Sequence, residues 1–174
     1  MKGLIHVYCG DGQGKTMAAI GMGIRACGRG KRVLLVQFLK GGDSGEWKVL
    51  DRVPNFSALP NPEHMKFTFQ MNQAERTEAA ELCRSRLQKA AETADAGRCD
   101  LLILDEVFGA INAGMLPDRA LVALLKSKPD PLEIVLTGRN PSAEILELAD
   151  YVSEIKKVKH PFDRGIPARE GIEF

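Results

Sequence analysis

A glycine-rich segment near the start of the chain carries the residue types that bind phosphate. The segment, GDGQGKT, covers residues 10–16 and lies between a strand pattern and a helix pattern. Its glycines let backbone N–H groups turn inward around phosphate oxygens, and the N-terminus of the following helix adds partial positive charge. Lys15 would neutralise phosphate charge, and the hydroxyl of Thr16 would bind Mg²⁺. The segment therefore predicts a loop that binds the phosphates of ATP or of a close relative.

The loop is one residue shorter than the usual phosphate-loop pattern. The spacing G-x-x-x-x-G-K-[ST] would place a glycine at position 9, but that residue is Cys9 and the first glycine is Gly10. From this segment alone, a glycine-rich turn that does not bind phosphate is the alternative interpretation.

Two acids that follow an apolar run favour the phosphate-binding interpretation. Residues 101–104 (LLIL) are typical of a buried strand, and Asp105 and Glu106 come directly after them. Doubly wound sheets bind ligands at the carboxyl ends of their strands, where a carboxylate can hold Mg²⁺ directly or through water. The alternative is that the acids only begin a helix, where its dipole favours them.

Three further segments are predicted at or near the same edge of the sheet. Phe67 and Phe69 lie on one side of an extended segment and form either core or an apolar wall beside a flat ligand. Gln37 ends a strand pattern and either faces the ligand or caps the strand. Arg139 follows a later strand and either contacts phosphate or faces solvent. His160, in a turn-rich tail, is either structural or a donor near the ligand.

Strand and helix patterns alternate along the chain, which predicts an α/β fold with a mostly parallel central sheet and helices on both faces. Asn72 and Glu75 have the spacing of a capping box at the start of a long helix. The predicted strands are 4–8, 32–38, 56–59, 66–69, 100–104, 133–136 and 151–156. The predicted helices are 16–27, 74–94, 107–113, 118–126 and 143–149.

Length and composition favour one soluble domain over residues 1–174. Hydrophobic residues make up 44% of the chain and charged residues 27%, while the net charge is +1. A net charge this close to zero creates no strong electrostatic attraction for nucleic acid or an anionic membrane. No apolar run reaches membrane-spanning length. The four cysteines form no CxxC pair, and the chain starts directly in a strand pattern, so a reducing cytoplasmic location is expected.

Six segments together resemble the P-loop ATP:corrinoid adenosyltransferases, the cob(I)yrinic acid a,c-diamide adenosyltransferase family. The resemblance covers nearly the whole chain in the right order. The short loop and the tail are its most specific parts. The segments are GDGQGKT (10–16), VQFLKG (36–41), FTF (67–69), LDE (104–106), LTGR (136–139) and VKHPFD (158–163), the last continuing to residues 171–172.

The resemblance implies a RecA-like P-loop fold, a homodimer and Mg-ATP as one substrate. The other substrate is a reduced corrinoid (cobalamin, cobinamide or cobyrinic acid diamide), and an electron donor such as a flavodoxin supplies the electron that reduces its cobalt(II) to cobalt(I). Cobalt(I) attacks the 5′ carbon of ATP and tripolyphosphate leaves, with ATP bound in reverse relative to kinases. The implied catalytic residues are Lys15, Phe67 and Phe69, and the implied metal residues are Thr16 and Glu106. The implied nucleotide-binding residues are Gly10, Asp11, Gly12, Gln13, Gly14, Lys15, Thr16, Met17 and Arg139.

Three features depart from the family pattern. Phe69 stands where members often carry tryptophan, so the apolar wall is smaller. Met17 replaces the threonine that usually follows the Lys-Thr pair. The first strand begins almost at residue 1, whereas some members have a longer N-terminus that covers the site.

Two other functions use the same loop. A small kinase or ATPase would use Glu106 to bind Mg²⁺ or position water and would release ADP. Thymidine-kinase-like proteins share this layout but carry zinc-binding cysteines, which this chain lacks. A nucleotide-dependent binding module without chemistry is the third interpretation.

Overall fold

The computed structural model describes residues 2–42, 44–66 and 68–173. Within them, six strands form one sheet, and every neighbouring pair of strands is parallel. In chain order the strands are β1 (Ile5–Cys9), β2 (Val33–Gln37), β3 (Phe56–Ala58), β4 (Leu101–Asp105), β5 (Glu133–Thr137) and β6 (Tyr151–Glu154). Their order across the sheet is β3-β2-β4-β5-β1-β6.

Helices connect the strands and pack on the sheet. The α-helices are α1 (Lys15–Cys27), α2 (Trp47–Leu50), α3 (Gln73–Asp95), α4 (Val107–Asn112), α5 (Asp118–Ser127) and α6 (Ala143–Leu148). Two short 3₁₀ turns cover Thr68–Gln70 and Pro161–Arg164. Among the described residues, no helix has the length and apolar character needed to cross a membrane.

The two faces of the sheet support two separate apolar clusters. Along β2, Leu34 and Val36 pack into a cluster that also contains apolar residues of α3, α5 and α6, whereas Val33 and Leu35 pack into a second cluster with α1. Successive strand side chains point to opposite faces, so a strand buried on both faces is apolar throughout. This explains the continuous apolar runs and confirms the predicted α/β fold with helices on both faces.

The predicted start of the long helix is also confirmed. The side chain of Asn72 accepts from the backbone N–H of Glu75 at 2.9 Å, and the Glu75 carboxylate accepts from the N–H of Asn72 at 2.9 Å. This capping box satisfies two backbone donors that the first turn of α3 leaves without helical partners.

One local prediction was wrong. The expected strand at 66–69 is absent from its described part, which forms a 3₁₀ turn at Thr68–Gln70. The Arg76 guanidinium donates to the carbonyl of Thr68 at 3.0 Å, which ties this segment to α3 rather than to the sheet. No element is predicted from the sequence for residues 46–53, and the structure places the short helix α2 there.

The strand order brings the predicted site segments to one edge. β5 lies between β1 and β4, with Tyr8 opposite Thr137 and Leu104 opposite Leu136. The phosphate loop after β1, the acids at the end of β4 and the segment after β5 therefore meet at the carboxyl ends of parallel strands. The strand with the acids is separated from the loop strand by one strand, as in a RecA-like sheet, which confirms the predicted fold class.

Candidate active site

The phosphate loop depends on two glycines with left-handed backbone conformations. Gly10 has φ of 104° and Gly14, which directly precedes α1, has φ of 114°. L-residues with side chains rarely adopt such angles, so glycine is needed at both positions. These turns place the loop against the N-terminus of α1, whose unpaired N–H groups and dipole favour an anion.

The loop packs closely against the segment that follows β6. The N–H of Gly12 donates to the carbonyl of Ile155 at 2.7 Å. A Cβ added at Gly10 would lie 2.5 Å from the same oxygen, and one at Gly12 would lie 2.8 Å from it. The close contact with the Ile155 carbonyl therefore requires glycine at both positions. Cys9 is the last residue of β1 and is buried there, so it does not belong to the loop.

Lys15 lies over its own loop. Its ammonium group donates to the carbonyls of Gly10 at 2.8 Å and Gly12 at 2.7 Å, and the residue is only 8% exposed. Burial lowers the pKa of Lys15, and the positive charge of Arg139 lowers it further, while Glu106 opposes both effects. The arrangement concentrates a cation where phosphate charge would enter.

Asp105 is the partner of Thr16 and is completely buried at the end of β4. The Thr16 hydroxyl donates to Oδ1 of Asp105 at 2.8 Å, and the Thr137 hydroxyl donates to the same oxygen at 2.7 Å. Gln37 donates to Oδ2 at 3.0 Å, and the Lys40 ammonium lies 3.5 Å from it. Asp105 thus joins the ends of β2, β4 and β5 to the first turn of α1.

At Glu106, the predicted metal residue, the backbone turns away from the direction of β4. It adopts a left-handed conformation with φ of 59°, and its backbone N–H donates to the Thr137 hydroxyl at 2.8 Å. Burial raises the pKa of Glu106, and the charge of Asp105 raises it further, against the lowering effects of Lys15 and other cations. The left-handed turn therefore gives the two adjacent acids separate environments.

The sequence prediction assigned the metal to Thr16 and Glu106 but did not include Asp105 among the site residues. No local signal in the sequence separates Asp105 from Glu106, and the pairing of Asp105 with Gln37 at the last position of β4 is visible only in the structure. The described residues contain no cluster of three or more His, Cys, Asp and Glu side chains arranged to hold a metal. The oxygen groups available for a metal among these residues are instead few, namely those of Asp105, Glu106 and the Thr16 hydroxyl.

Arg139 follows β5 at the same edge. Gly138 has φ of 139°, and a Cβ there would lie 2.8 Å from Cβ of Phe108, so the turn needs glycine. The Arg139 side chain is exposed, yet its charge helps to lower the pKa values of Lys15 and Asp11 and opposes the raised pKa of Glu106. The structure therefore brings this predicted residue into the electrostatic field of the loop.

Asp11, a predicted nucleotide-binding residue, faces the tail. Its carboxylate accepts from the backbone N–H of Lys157 at 3.0 Å, and this hydrogen bond is the main cause of its lowered pKa. Gln13 and Met17 are exposed on the loop and on α1, with Met17 56% exposed. The loop thus directs different side chains inward, outward and toward the tail.

The predicted apolar wall is described only in part. Phe67 lies outside the described residues. Phe69 lies in the 3₁₀ turn before α3 and is 80% exposed. Phe69 therefore lies at the surface, and the core alternative does not hold for it.

The fold and the site together define a P-loop nucleotide-binding α/β protein, with the acid strand one strand away from the loop strand. Comparison with known families gives a narrower assignment. The family described as ATP:corrinoid adenosyltransferase BtuR/CobO/CobP matches residues 1–174. The chain belongs to this family, as the sequence motifs predicted.

Individual relatives agree with this assignment. The corrinoid adenosyltransferase of Escherichia coli K12 is 37% identical over 99% of this chain and 86% of its own length. The corrinoid adenosyltransferase CobA of Salmonella typhimurium LT2 is 35% identical over the same shares of both chains. The corrinoid adenosyltransferase of Pseudomonas aeruginosa PAO1 is 35% identical over 99% of this chain and 84% of its own. This chain therefore spans most of each relative.

Proposed function

We propose that this protein transfers the 5′-deoxyadenosyl group of ATP to the cobalt(I) of a corrinoid, in adenosylcobalamin synthesis or salvage. The observation that carries the proposal is the family match over residues 1–174. The phosphate loop and the site around it support the ATP half of the reaction. The match does not favour the kinase or ATPase alternative.

The proposed reaction is a displacement at carbon. The electron pair of cobalt(I) forms the bond to the 5′ carbon, the bond from that carbon to oxygen breaks, and its electrons leave with tripolyphosphate. The leaving group gains charge in the transition state, so groups that stabilise this charge accelerate the step. No proton has to be transferred at the reacting carbon, and positioning of the two substrates matters more than a general base.

The phosphate loop is the proposed site for the triphosphate. The Lys15 ammonium carries three N–H donors, and the carbonyls of Gly10 and Gly12 accept two of them. Its remaining donor and its charge are proposed to contact the triphosphate, together with the N-terminus of α1. Arg139 would add a second cation from the end of β5, where its charge already lowers the pKa of Lys15.

Mg²⁺ is the proposed cofactor of the ATP site. Thr16, Asp105 and Glu106 fit it, because Mg²⁺ prefers oxygen ligands and is usually held by one or two carboxylates together with substrate phosphates. A dedicated metal cluster is not needed for that kind of site, which agrees with the sparse oxygen set of the described residues. When bound, the ion would neutralise charge on the departing tripolyphosphate.

The corrinoid half of the site is proposed from the family resemblance. Phe69, with Phe67, is proposed to form an apolar wall that excludes the lower axial ligand of the corrinoid. A cobalt centre without that ligand is easier to reduce from cobalt(II) to cobalt(I). The exposure of Phe69 supports this role, since a wall for a flat substrate must lie at the surface.

The same resemblance supports three wider proposals. The protein would act as a homodimer, receive its electron from a protein such as a flavodoxin, and work in the cytoplasm. Cobalamin, cobinamide and cobyrinic acid diamide are the proposed corrinoid substrates.

Product analysis tests the proposed function. The protein is incubated with ATP, Mg²⁺ and a chemically reduced corrinoid in the dark, and the phosphate products are separated by ion exchange. We expect tripolyphosphate in equal amounts to a light-sensitive cobalt–carbon product. Release of ADP or orthophosphate without the corrinoid product would overturn the proposal in favour of the kinase or ATPase alternative, and absence of turnover would favour a binding module.

A further inference from the structure

The side chain of Gln37 lies at the centre of a buried polar network behind Asp105. Gln37 is 1% exposed, although it ends a strand whose neighbours are apolar. Its Oε1 accepts from Nε1 of Trp47 at 2.6 Å and from Nδ2 of Asn61 at 3.0 Å. Its Nε2 donates to Oδ2 of Asp105 at 3.0 Å. A buried amide with this many partners has a defined orientation.

Trp47 determines which way the amide of Gln37 faces. The two ends of a glutamine amide have nearly the same shape, so hydrogen-bond partners decide which end is oxygen. An indole N–H can only donate, so the end of Gln37 that faces Trp47 must be the oxygen. The NH₂ group must then face Asp105, where a donor is needed because the carboxylate can only accept.

Asp105 in turn receives hydrogen bonds on both oxygens. Thr16 and Thr137 donate to Oδ1, while Gln37 donates to Oδ2. With its partners on both sides, the carboxylate has little freedom to rotate about its terminal bond. The orientation of the Gln37 amide therefore affects the direction in which Asp105 holds the hydroxyl of Thr16.

We propose that Gln37 is a positioning residue for the Mg-ATP site and that Trp47 fixes it in the working orientation. Gln37 acts through Asp105 and Thr16 and does not itself contact the nucleotide. This inference rests on the proposed use of Thr16 and Asp105 in binding Mg-ATP. Without the indole N–H, only Asn61 still donates to the Gln37 oxygen, and the Asn61 amide can itself turn over. The Gln37 amide can then present its oxygen to Oδ2 of Asp105, and two acceptors in contact repel each other.

The charged groups around Gln37 are few. Glu46 Oε1 lies 3.5 Å from its Nε2, and Lys40 bridges Glu46 at 3.3 Å and Asp105 at 3.5 Å. Arg86 contacts only the backbone, donating to the carbonyl of Gln37 at 2.9 Å. A new carboxyl group at position 37 would therefore meet two acids and one lysine.

The first variant is Trp47→Phe, which keeps an aromatic ring and removes only the N–H donor. We expect the dissociation constant for Mg-ATP, measured by calorimetry without corrinoid, to rise about tenfold. This factor corresponds to the loss of one hydrogen bond to a charged group, here the bond from Gln37 to the Asp105 carboxylate. The KM for Mg-ATP should rise by a similar factor, with kcat at saturating Mg-ATP changed less than twofold. An unchanged dissociation constant, or a loss of thermal stability with unchanged affinity, would overturn the proposal.

The second variant is Gln37→Glu, and its readout is the pH dependence of Mg-ATP affinity. The introduced carboxyl group can still accept from Trp47 and Asn61. It can donate to Asp105 only when it is protonated. We expect affinity near that of the unmodified protein at low pH and a loss as the pH rises through the titration of the new group. A pH profile that parallels the unmodified protein would contradict the proposal.

Gln88→Glu is the matched control. Gln88 also donates to a carboxylate, Glu92, at 2.9 Å, but it lies on the exposed side of α3. This control should leave affinity and its pH dependence unchanged. Failure of the proposed function would be visible in the unmodified protein as ADP release, whereas failure of this inference leaves tripolyphosphate formation intact and the variants unaltered in affinity.

Discussion

The hydroxyl of Thr16 and the carboxylate of Asp105 are joined by a hydrogen bond of 2.8 Å across 89 positions of the sequence. Thr16 lies in the first turn of α1, and Asp105 ends β4, so the bond connects the phosphate loop to the centre of the sheet. Since Asp105 is completely buried, an unpaired charge there would be costly, and Thr16 and Thr137 compensate for this burial together. The same bond fixes the direction of the Thr16 hydroxyl, which is the proposed oxygen ligand of Mg²⁺.

Thr16→Ala is expected to weaken the use of Mg²⁺. The variant loses the hydroxyl that contacts Asp105 and the proposed oxygen ligand at the same time, so kcat/KM for Mg-ATP should fall about 10- to 100-fold. Initial rates measured against Mg²⁺ concentration at fixed ATP provide the test. Thr16→Ser keeps the hydroxyl and should retain most activity. Equal rates for the alanine and serine variants would show that the hydroxyl is not used.

Lys15→Ala is expected to remove nearly all transfer of the adenosyl group. The variant loses the buried cation between the carbonyls of Gly10 and Gly12, so charge on the departing tripolyphosphate is no longer stabilised. We expect kcat/KM to fall at least about 10²- to 10³-fold, the range found for removal of a group that stabilises developing charge. Tripolyphosphate is measured in the same assay for Lys89→Ala, an exposed lysine on α3. Rates within a factor of two for both variants would contradict the proposed role.

Glu106→Gln should change the pH dependence of folding. The pKa of Glu106 is raised by burial and by Asp105, so the folded protein binds its proton more tightly than the unfolded chain. Stability is therefore lost as the pH rises from the unfolded pKa through the raised folded pKa, and the loss persists above it. The glutamine variant carries no such charge and should melt about 2 to 4 °C higher than the unmodified protein at pH 7.5.

The comparison at acid pH completes that test. Below the unfolded pKa, both states of the unmodified protein are protonated at this position, so the difference in melting temperature should disappear. Glu147→Gln, an exposed carboxylate on α6, provides the control and should show no dependence of this kind. A Glu106→Gln variant that is equally destabilised at both pH values would mean that the side chain stabilises the fold through contacts and not through its charge.

Much of the fold could be predicted from local patterns. Buried parallel strands are apolar on both faces, so β2 and β4 stand out as continuous apolar runs. The capping box of Asn72 and Glu75 involves residues three positions apart and is equally local. The phosphate loop is also local, since its glycines and Lys15 are adjacent in sequence. These features depend on neighbours along the chain, which a single sequence displays.

The parts that could not be predicted depend on contacts between distant segments. Helix α2 is short, and its first residue, Trp47, bonds to Gln37 on another element. Which of two adjacent acids meets Thr16 is decided by the register of β4 against β2 and by the left-handed turn at Glu106. The dipeptide itself does not distinguish them. Likewise, the turn at Thr68–Gln70 depends on a guanidinium from α3.

The contact between Asp11 and Lys157 joins residues 146 positions apart and connects the phosphate loop to the tail. Asp11→Ala removes the acceptor for the Lys157 N–H, so the tail should detach from the loop more often. Trypsin cleavage after Lys156, Lys157 and Lys159 should become about fivefold faster, as expected for the loss of about 1 kcal/mol of local stability. Cleavage is followed by mass spectrometry under native conditions.

Asp11→Asn is the matched variant for this test. An asparagine keeps the side-chain oxygen that accepts from Lys157 and removes only the charge, so its cleavage rate should stay close to that of the unmodified protein. If Asp11 is used mainly for its charge, both variants should be cleaved equally fast. Equal protection of all three proteins would show instead that the tail is held by the contact between Gly12 and Ile155 and that Asp11 is not needed for it.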